Sequence, residues 1–187
     1  MKIILASNSP RRKELLRYIL DDFTTIDSQT DESYDENLAP HEIVLYLSYK
    51  KAKSVNSLFP NEIIIGCDTI VTLNNSIMGK PRDKADAYRI LSELSGKTHK
   101  VLTGVTIINN KSYESFYTET AVTFSDISAK EINKYIETTE PFDKAGAYGI
   151  QGYGAKFIES IDGDYFSVMG LPINKIYQHL KKFLPNL

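Results

Sequence analysis

The sequence predicts an α/β fold in which helices flank a mixed, twisted β-sheet. Short apolar runs that are typical of strands alternate along the chain with longer segments whose apolar residues have helical spacing. This alternation favours a sheet that is covered by helices. Turn sequences join some neighbouring strands in short hairpins, which connect antiparallel strands, so we expect a mixed sheet instead of a fully parallel one.

The predicted strands are short runs that are apolar or rich in β-branched and aromatic residues. They lie at residues 3–6, 23–26, 63–65, 69–73, 77–78, 100–109, 112–124, 155–160 and 165–169. The pairs Asn74-Asn75 and Asn109-Asn110 and the dipeptide Asp162-Gly163 are typical of tight turns. Each of these turns is therefore predicted to join two antiparallel strands.

The predicted helices begin at residues that cap or open a helix. Their starts are Pro10, Pro40, Asp83, Ser128 and Pro172. The first helix is expected to run from Pro10 to about Leu20, with Ser9 as its N-cap and proline at the first helical position. Ser128 and Glu131 have the spacing of a capping box, in which each residue satisfies a backbone amide of the other.

Composition excludes several classes of protein. The apolar and charged fractions, 42% and 25%, are those of a soluble globular protein. A net charge of −2 gives no general affinity for nucleic acid or for an anionic membrane. The single cysteine, Cys67, cannot form an intramolecular disulfide, and no apolar stretch is long enough to cross a bilayer. Since no signal-peptide pattern is present either, we expect a soluble, cytoplasmic protein.

The length of 187 residues suits one sizeable α/β core and is too short for two large domains. We therefore predict a single domain over residues 1–187. A division of this domain into two lobes with a cleft between them is an open alternative.

Two arginines occupy the start of the first predicted helix, where the backbone already carries a partial positive charge. Arg11 and Arg12 therefore each cost a few tenths of a kcal/mol at this place. Solvated side chains that lie along the surface are one explanation. The other is a polyanion whose phosphate oxygens meet both guanidinium groups and the hydroxyls of Ser7 and Ser9.

Carboxylates and lysines elsewhere could serve the same ligand. Asp68 ends the buried run EIIIGCD, and ligands gather beyond the carboxyl ends of strands in α/β sheets, although a turn acceptor is an equal alternative. Asp31 and Glu32 belong to an acidic loop that is either solvated or, with Asp68, a site for Mg²⁺ or Mn²⁺. Lys80 lies between a glycine and a proline, which fix its backbone, and Lys51 belongs to a helical KKAK segment.

The segment PFDKAGAYGIQGYG, Pro141–Gly154, is the densest candidate for a functional loop. Its glycines allow tight turns and close approach of the backbone to another group. Gln151 lies among them, and its amide carries both a donor and an acceptor, which suits the edge of a nucleotide base. An irregular connection without a ligand is the alternative, but loops of this length and composition are more often functional.

Other catalytic patterns are absent from the sequence. The three histidines lack the spacing of metal ligands, and neither a nucleophile elbow nor a Walker-type glycine loop is present. Cys67 follows an apolar run and is interpreted as a small core residue. Carboxylates and cations remain, and this combination suits metal-assisted hydrolysis of a phosphate ester or anhydride.

Several motifs together resemble the Maf family of nucleoside triphosphate pyrophosphatases, from residue 3 to about residue 180. They are SNSPRR, GCDTIV, GKPRD, LSGKTHKVLTGV, EPFDKAGAYGIQG and IDGDYFSVMGLP, in the order seen in that family. The resemblance implies the inosine-triphosphatase-like α/β architecture of Maf and Ham1 proteins. It also implies a homodimer and the hydrolysis of a nucleoside triphosphate to the monophosphate and pyrophosphate with a divalent metal cation, Mg²⁺ or Mn²⁺.

The resemblance further implies a substrate class. Arg11, Thr69 and Gln151 match the residues of the branch that resembles dTTP/UTP pyrophosphatases. The branch that acts on 7-methyl-GTP typically lacks that arginine and has an acidic residue in place of the glutamine. An amide suits neutral uracil or thymine, whereas a carboxylate suits a cationic methylated purine, so the pyrimidine branch is favoured.

We accordingly expect attack of water at the α-phosphorus. In this hypothesis Asp68 orients or deprotonates the water and shares the metal with Asp31 or Glu32, an assignment that the sequence leaves open. The triphosphate is surrounded by basic and hydroxyl side chains, which are Ser7, Ser9, Arg11, Arg12, Lys51 and Lys80. Thr69 and Gln151 complete the predicted substrate-binding residues.

A second hypothesis comes from a different class of protein. The chain could be a nucleotide-binding regulator of cell division or septum formation, with slow or incidental hydrolysis. Asp68 discriminates between the two, because a pure binder does not need a carboxylate that repels phosphate. The sequence leaves open whether the pyrimidine nucleotide is a normal or a modified one.

Overall fold

The computed structural model describes residues 2–110 and 112–184. The strands in these ranges are β1 (Ile3–Ala6), β2 (Thr24–Thr25), β3 (Ile63–Leu73), β4 (Ser76–Met78), β5 (Thr98–Asn109), β6 (Ser112–Phe124) and β7 (Ile158–Asp162). The α-helices are α1 (Pro10–Leu16), α2 (Pro40–Leu58), α3 (Lys84–Leu94), α4 (Ala129–Ile136), α5 (Tyr165–Val168) and α6 (Ile173–Phe183). None of these helices is both long and apolar enough to cross a membrane.

The described strands form one seven-stranded sheet in the order β2-β1-β3-β5-β6-β7, with β4 beside β3. Strand β1 is parallel to both of its neighbours, so Ile4 lies opposite Thr24 on one side and Ile64 on the other. Strand β4 is antiparallel to β3, and β7 is antiparallel to β6. The predicted mixed sheet with flanking helices is confirmed.

The turn at Asn74-Asn75 shows how local sequence sets this pattern. Both asparagines have a positive φ, 51° and 66°, which two-residue hairpin turns require and asparagine tolerates. The turn therefore folds β4 back onto β3, with Thr72 opposite Ile77.

The predicted hairpin across Asp162-Gly163 is wrong. Strand β7 pairs with β6 instead, and residues 165–168 form helix α5. The physical reason lies in Asp164, whose carboxylate accepts a hydrogen bond from the backbone N–H of Phe166 at 2.9 Å and so caps α5. A dipeptide that signals a turn is followed here by a residue that starts a helix, and the capping interaction prevails.

Backbone contacts divide the chain into two compact units. Unit 1 is Met1–Asp68, Thr103–Thr118 and Gly170–Leu187, and unit 2 is Thr69–Leu102 and Glu119–Met169. Each unit has a buried apolar cluster, formed in unit 1 around Ile4, Val55 and Ile64 and in unit 2 around Phe124, Tyr135 and Phe157. The predicted domain range includes residues 1, 111 and 185–187, which lie outside the described residues, and the predicted cleft stays a prediction.

Helix α2 of unit 1 packs closely on the sheet at two glycines. A β-carbon on Gly66 would lie 2.3 Å from the Ser48 carbonyl oxygen and 2.7 Å from the Ala52 nitrogen. A β-carbon on Gly104 would lie 2.3 Å from the Val44 carbonyl oxygen. Only glycine permits these distances, so the close contact of α2 with β3 and β5 is built into the sequence.

We expect Gly66→Ala to destabilise the protein by about 3 kcal/mol, because the clash is with backbone atoms of α2 that cannot move separately. Gly79→Ala is the matched control, since a β-carbon placed there would have nothing within 4 Å and the φ of Gly79 is not left-handed. This control should be neutral or slightly stabilising. Urea unfolding curves measure both effects, and equal midpoints for the two variants would contradict the close packing.

Candidate active site

The buried carboxylate of Asp68 in unit 1 is paired with Lys51 of helix α2. Lys51 Nζ donates a hydrogen bond to Asp68 Oδ1 at 2.6 Å. Only 10% of the Lys51 side chain and 9% of the Asp68 side chain are exposed. Taking both charges out of water is costly, and removal of Lys51 would leave the Asp68 carboxylate as an uncompensated buried charge.

The sequence indicated that Asp68 ends its strand. The structure differs, because β3 continues without interruption to Leu73. The parallel pairing of β1 and β3 does end nearby, since its last pair is Ala6 with Gly66. Ser7 lies one residue and Asp68 two residues beyond this last parallel pair. Ligands typically gather at this place in an α/β sheet, so the expectation for Asp68 keeps its physical basis.

Glu32, which lies in the acidic loop, is a second hydrogen-bond partner of the Lys51 ammonium group. Lys51 Nζ donates to Glu32 Oε1 at 2.7 Å, and the Glu32 side chain is 55% exposed. A single cation thus lies between a buried carboxylate and one that is open to solvent. The close packing of α2 at Gly66 brings Lys51 to this position.

Asp31 has different neighbours. Its carboxylate accepts hydrogen bonds from the hydroxyl and the backbone N–H of Ser33, and it lies 3.6 Å from Lys50 Nζ. The Ser33 hydrogen bonds, with a smaller contribution from Lys50, lower the pKa of Asp31. The contacts therefore join Glu32 to Asp68 through Lys51, and they join Asp31 to Lys50.

Ser9 caps helix α1 as predicted, and its hydroxyl accepts a hydrogen bond from the Arg12 backbone N–H at 3.4 Å. The helix ends at Leu16 and not near Leu20, so it is a seven-residue segment. The Arg12 guanidinium donates through Nε to the Gly170 carbonyl at 2.9 Å and through Nη1 to the Ser7 hydroxyl at 3.4 Å. Arg11 is half-buried in the first turn.

The pKa of Cys67 depends on burial and on nearby charges. The thiol is fully buried, and this burial raises its pKa to about 11 against the opposing effect of the Arg12 and Lys51 charges. The thiol is therefore protonated at neutral pH and inert, as expected of a core residue. Of the three charged groups that act on this sulfur, Arg12, Lys51 and Asp68, the last two are in direct contact.

Three further predicted residues belong to unit 2. Thr69 follows Asp68 in β3 and is half-buried, and Lys80 is exposed. The backbone at Lys80 is held by the preceding residue, since the Gly79 carbonyl accepts a hydrogen bond from the Gly146 N–H at 3.2 Å. Gln151 is exposed in the glycine-rich segment.

Sequence reasoning missed the groups that hold the glycine-rich segment. Glu140 accepts hydrogen bonds from this segment and from the Tyr135 hydroxyl. His99 Nε2 contacts the Tyr148 hydroxyl at 2.8 Å, and burial lowers the pKa of His99 to about 4, so its ring is neutral at neutral pH. The signal that could have identified Glu140 was its position directly before the glycine-rich segment Pro141–Gly154.

Asp31, Glu32 and Asp68 are the predicted ligands of a divalent metal. No group of three or more His, Cys, Asp or Glu side chains in residues 2–110 and 112–184 is arranged to hold a metal ion. Asp68 and Glu32 nevertheless direct oxygens to one cation, the Lys51 ammonium. Proteins usually bind Mg²⁺ through one or two carboxylates, and water and substrate phosphates complete the coordination. Asp68 and Glu32 are two such carboxylates and fit this kind of site.

Comparisons with known proteins match almost the whole chain. The model of the family described as Maf-like protein matches residues 2–183. A dTTP/UTP pyrophosphatase of Bacillus pumilus is 50% identical over 97% of this chain and 96% of its own length. One of Bacillus cytotoxicus is 47% identical over 97% of this chain and 95% of its own length.

A likeness to a solved structure supports the fold. The Ham1 protein of Staphylococcus aureus matches with a TM-score of 0.54 over 97% of this chain and 99% of its own, at 13% sequence identity. The predicted inosine-triphosphatase-like architecture is therefore confirmed at the level of the fold.

Proposed function

Because this chain belongs to the Maf-like protein family, we propose that it hydrolyses dTTP and UTP to the nucleoside monophosphate and pyrophosphate. The reaction is attack of one water molecule at the α-phosphorus, with pyrophosphate as the leaving group. The observation that carries the proposal is the buried Asp68–Lys51 pair, with Glu32 on the same ammonium.

In the proposed mechanism Asp68 positions the attacking water and accepts its proton. A general base must be an ionised carboxylate within hydrogen-bond reach of the water. The 2.6 Å contact with Lys51 places an ammonium beside this carboxylate, and the opposite charge offsets the cost of burying it. Lys51 also stays close to the reacting phosphate, where a cation neutralises the charge that develops.

Basic side chains and hydroxyls hold the triphosphate in this proposal. Arg12 is oriented for the task by its hydrogen bonds to the Gly170 carbonyl and the Ser7 hydroxyl. Its guanidinium has five N–H donors in a planar fork, which suits phosphate oxygens. The other proposed phosphate ligands are matched by the family motifs and are Ser7, Ser9, Arg11 and Lys80.

A divalent cation, Mg²⁺ or Mn²⁺, is part of the proposal. Asp68 and Glu32 would hold it, because both carboxylates already meet one cation, whereas the contacts of Asp31 are with Ser33 and Lys50. Such an ion, when bound, supplies Lewis-acid stabilisation of charge on the phosphoryl oxygens. The family resemblance also supports a homodimer and a cytoplasmic location.

The pyrimidine specificity is proposed to come from Gln151, Thr69 and Arg11. A neutral amide can match both a donor and an acceptor on uracil or thymine, and the exposed position of Gln151 leaves its side chain accessible to a base. The relatives at 47% and 50% identity have enzymatic names, so the regulator of cell division or septum formation is not favoured as an alternative.

The experiment is a pyrophosphate-release assay on a panel of nucleoside triphosphates with Mg²⁺ or Mn²⁺, run on the wild type and on Gln151→Glu. The wild type should act on dTTP and UTP in preference to the others. Gln151→Glu should lower kcat/KM for these two by about tenfold or more, because a carboxylate lacks the donor of the amide.

Gln178→Glu on helix α6 is the control, since it makes the same chemical change at an exposed position. It should leave kcat/KM unchanged. Equal losses on every nucleotide for Gln151→Glu would contradict base reading by Gln151. Absence of pyrophosphate release from every nucleotide would contradict the proposed function itself.

A further inference from the structure

We propose that Glu140 is a positioning residue for Gln151, and that its carboxylate sets nucleotide selectivity by fixing the loop at residues 146–154. This inference rests on the proposed function, because it assigns base reading to Gln151. Glu140 itself touches no reacting atom in this proposal. It acts by holding the backbone on both sides of Gln151.

The hydrogen bonds of Glu140 and of its partner Tyr135 reach backbone N–H groups on both sides of Gln151 in the sequence. The carboxylate accepts from the Tyr153 backbone N–H at 2.8 Å and from the Gly154 N–H at 3.1 Å. On the other side, the Tyr135 hydroxyl donates to Glu140 at 2.8 Å and accepts from the Gly149 N–H at 3.1 Å. One carboxylate thus fixes the residues two before and two after Gln151, directly or through one phenol.

The glycines of this loop make room for the same two groups. A β-carbon on Gly149 would lie 2.9 Å from a Glu140 carboxylate oxygen, and one on Gly152 would lie 2.0 Å from the other. A β-carbon on Gly154 would lie 2.7 Å from the Tyr135 hydroxyl oxygen. The glycine pattern therefore has an explanation inside the protein, namely close approach of the loop to Glu140 and Tyr135.

The charge of Glu140 strengthens these contacts. Burial raises the pKa of its carboxyl, but the hydrogen bonds from Tyr135, Tyr153 and Gly154 outweigh burial and leave the pKa below its usual value. Glu140 is therefore ionised at neutral pH, and hydrogen bonds to an ionised acceptor are about twice as strong as neutral ones. A neutral amide at this position would turn one acceptor into a donor that faces backbone N–H groups.

The test compares Glu140→Gln with Tyr135→Phe and with the control Glu137→Gln. Glu137 pairs with Lys84 at the surface, where its side chain is 69% exposed, so its loss should have little effect. The quantities to measure are kcat/KM for UTP and for CTP. Uracil and cytosine present different hydrogen-bond donors and acceptors on the edge of the base. Hydrogen–deuterium exchange of peptides covering residues 146–154 reports how firmly the loop is held.

Glu140→Gln should speed exchange in residues 146–154 and lower kcat/KM for UTP by about tenfold, the effect of one lost hydrogen bond, while CTP changes by less than about twofold. Tyr135→Phe should show a smaller shift of the same kind, and Glu137→Gln should match the wild type. Tyr135→Phe keeps the test valid if Glu140→Gln does not fold.

Two results would overturn the inference. In the first, exchange rises but the UTP to CTP ratio stays at the wild-type value, which would mean that Glu140 is only structural. In the second, exchange in residues 146–154 is unchanged. Either result with an active, selective wild type leaves the proposed function intact, whereas a wild type inactive on every nucleotide refutes both.

Discussion

Asp68→Asn is expected to lower kcat for UTP and dTTP about a thousandfold or more, with little change in the fold. Asparagine has nearly the shape of aspartate but cannot accept a proton from water, and general-base catalysis typically contributes factors of this size. The Lys51 ammonium keeps Glu32 as a partner at 2.7 Å, so the substitution does not leave a cation without a counter-charge. Single-turnover kinetics and thermal unfolding measure the two effects.

Asp22→Asn is the matched control for this prediction. Asp22 is exposed and belongs to the same unit, so the same chemical change there should alter neither turnover nor unfolding. An Asp68→Asn protein that folds and turns over at the wild-type rate would contradict Asp68 as the base. Lost activity accompanied by lost folding would assign the effect to the buried ion pair instead.

Lys51→Met is expected to affect both stability and activity. The substitution leaves the buried Asp68 carboxylate without its partner, and breaking a buried pair in this way typically costs about 3–5 kcal/mol. Activity should fall about a hundredfold or more at saturating substrate, because a cation near the developing charge is lost. Urea unfolding and steady-state kinetics are the measurements.

Lys53→Met is the control, since Lys53 is exposed on the same helix. The double variant Lys51→Met with Asp68→Asn separates the two effects, because it removes the unpaired charge. It should be more stable than Lys51→Met alone while remaining inactive, which is the non-additivity expected of residues in contact. A Lys51→Met protein as stable as Lys53→Met would show that the pair contributes nothing.

Local sequence predicted most of the fold because local interactions set most of its boundaries. Ser9, Asp83 and Ser128 cap the helices that were assigned to them, and Asn74-Asn75 makes the predicted turn. One exception was residues 165–168, where a capping interaction of Asp164 outweighed the turn signal before it. Nothing within a few residues of this segment indicates that β7 pairs with β6, since that pairing depends on tertiary contacts.

The sequence predicted which residues belong to the candidate site but not which of their side chains contact one another. Sequence could name Asp68 and Lys51, yet the contact between them depends on how closely α2 approaches β3 at Gly66. For the same reason the sequence left Asp31 and Glu32 equivalent, and only the Lys51 contact separates them. The glycines near Gln151 were expected to allow tight turns or close approach to another group, but the sequence could not name the groups, which for three of these glycines are Glu140 and Tyr135.

The most direct test of the central claim is hydrolysis of UTP in water enriched in oxygen-18, with both products analysed by mass spectrometry. Attack at the α-phosphorus places one labelled oxygen on UMP and none on pyrophosphate, and the two products form in equal amounts. We expect this distribution for the wild type, and Asp68→Asn should form both products about a thousandfold more slowly. Label on pyrophosphate, or formation of UDP with inorganic phosphate, would contradict the account.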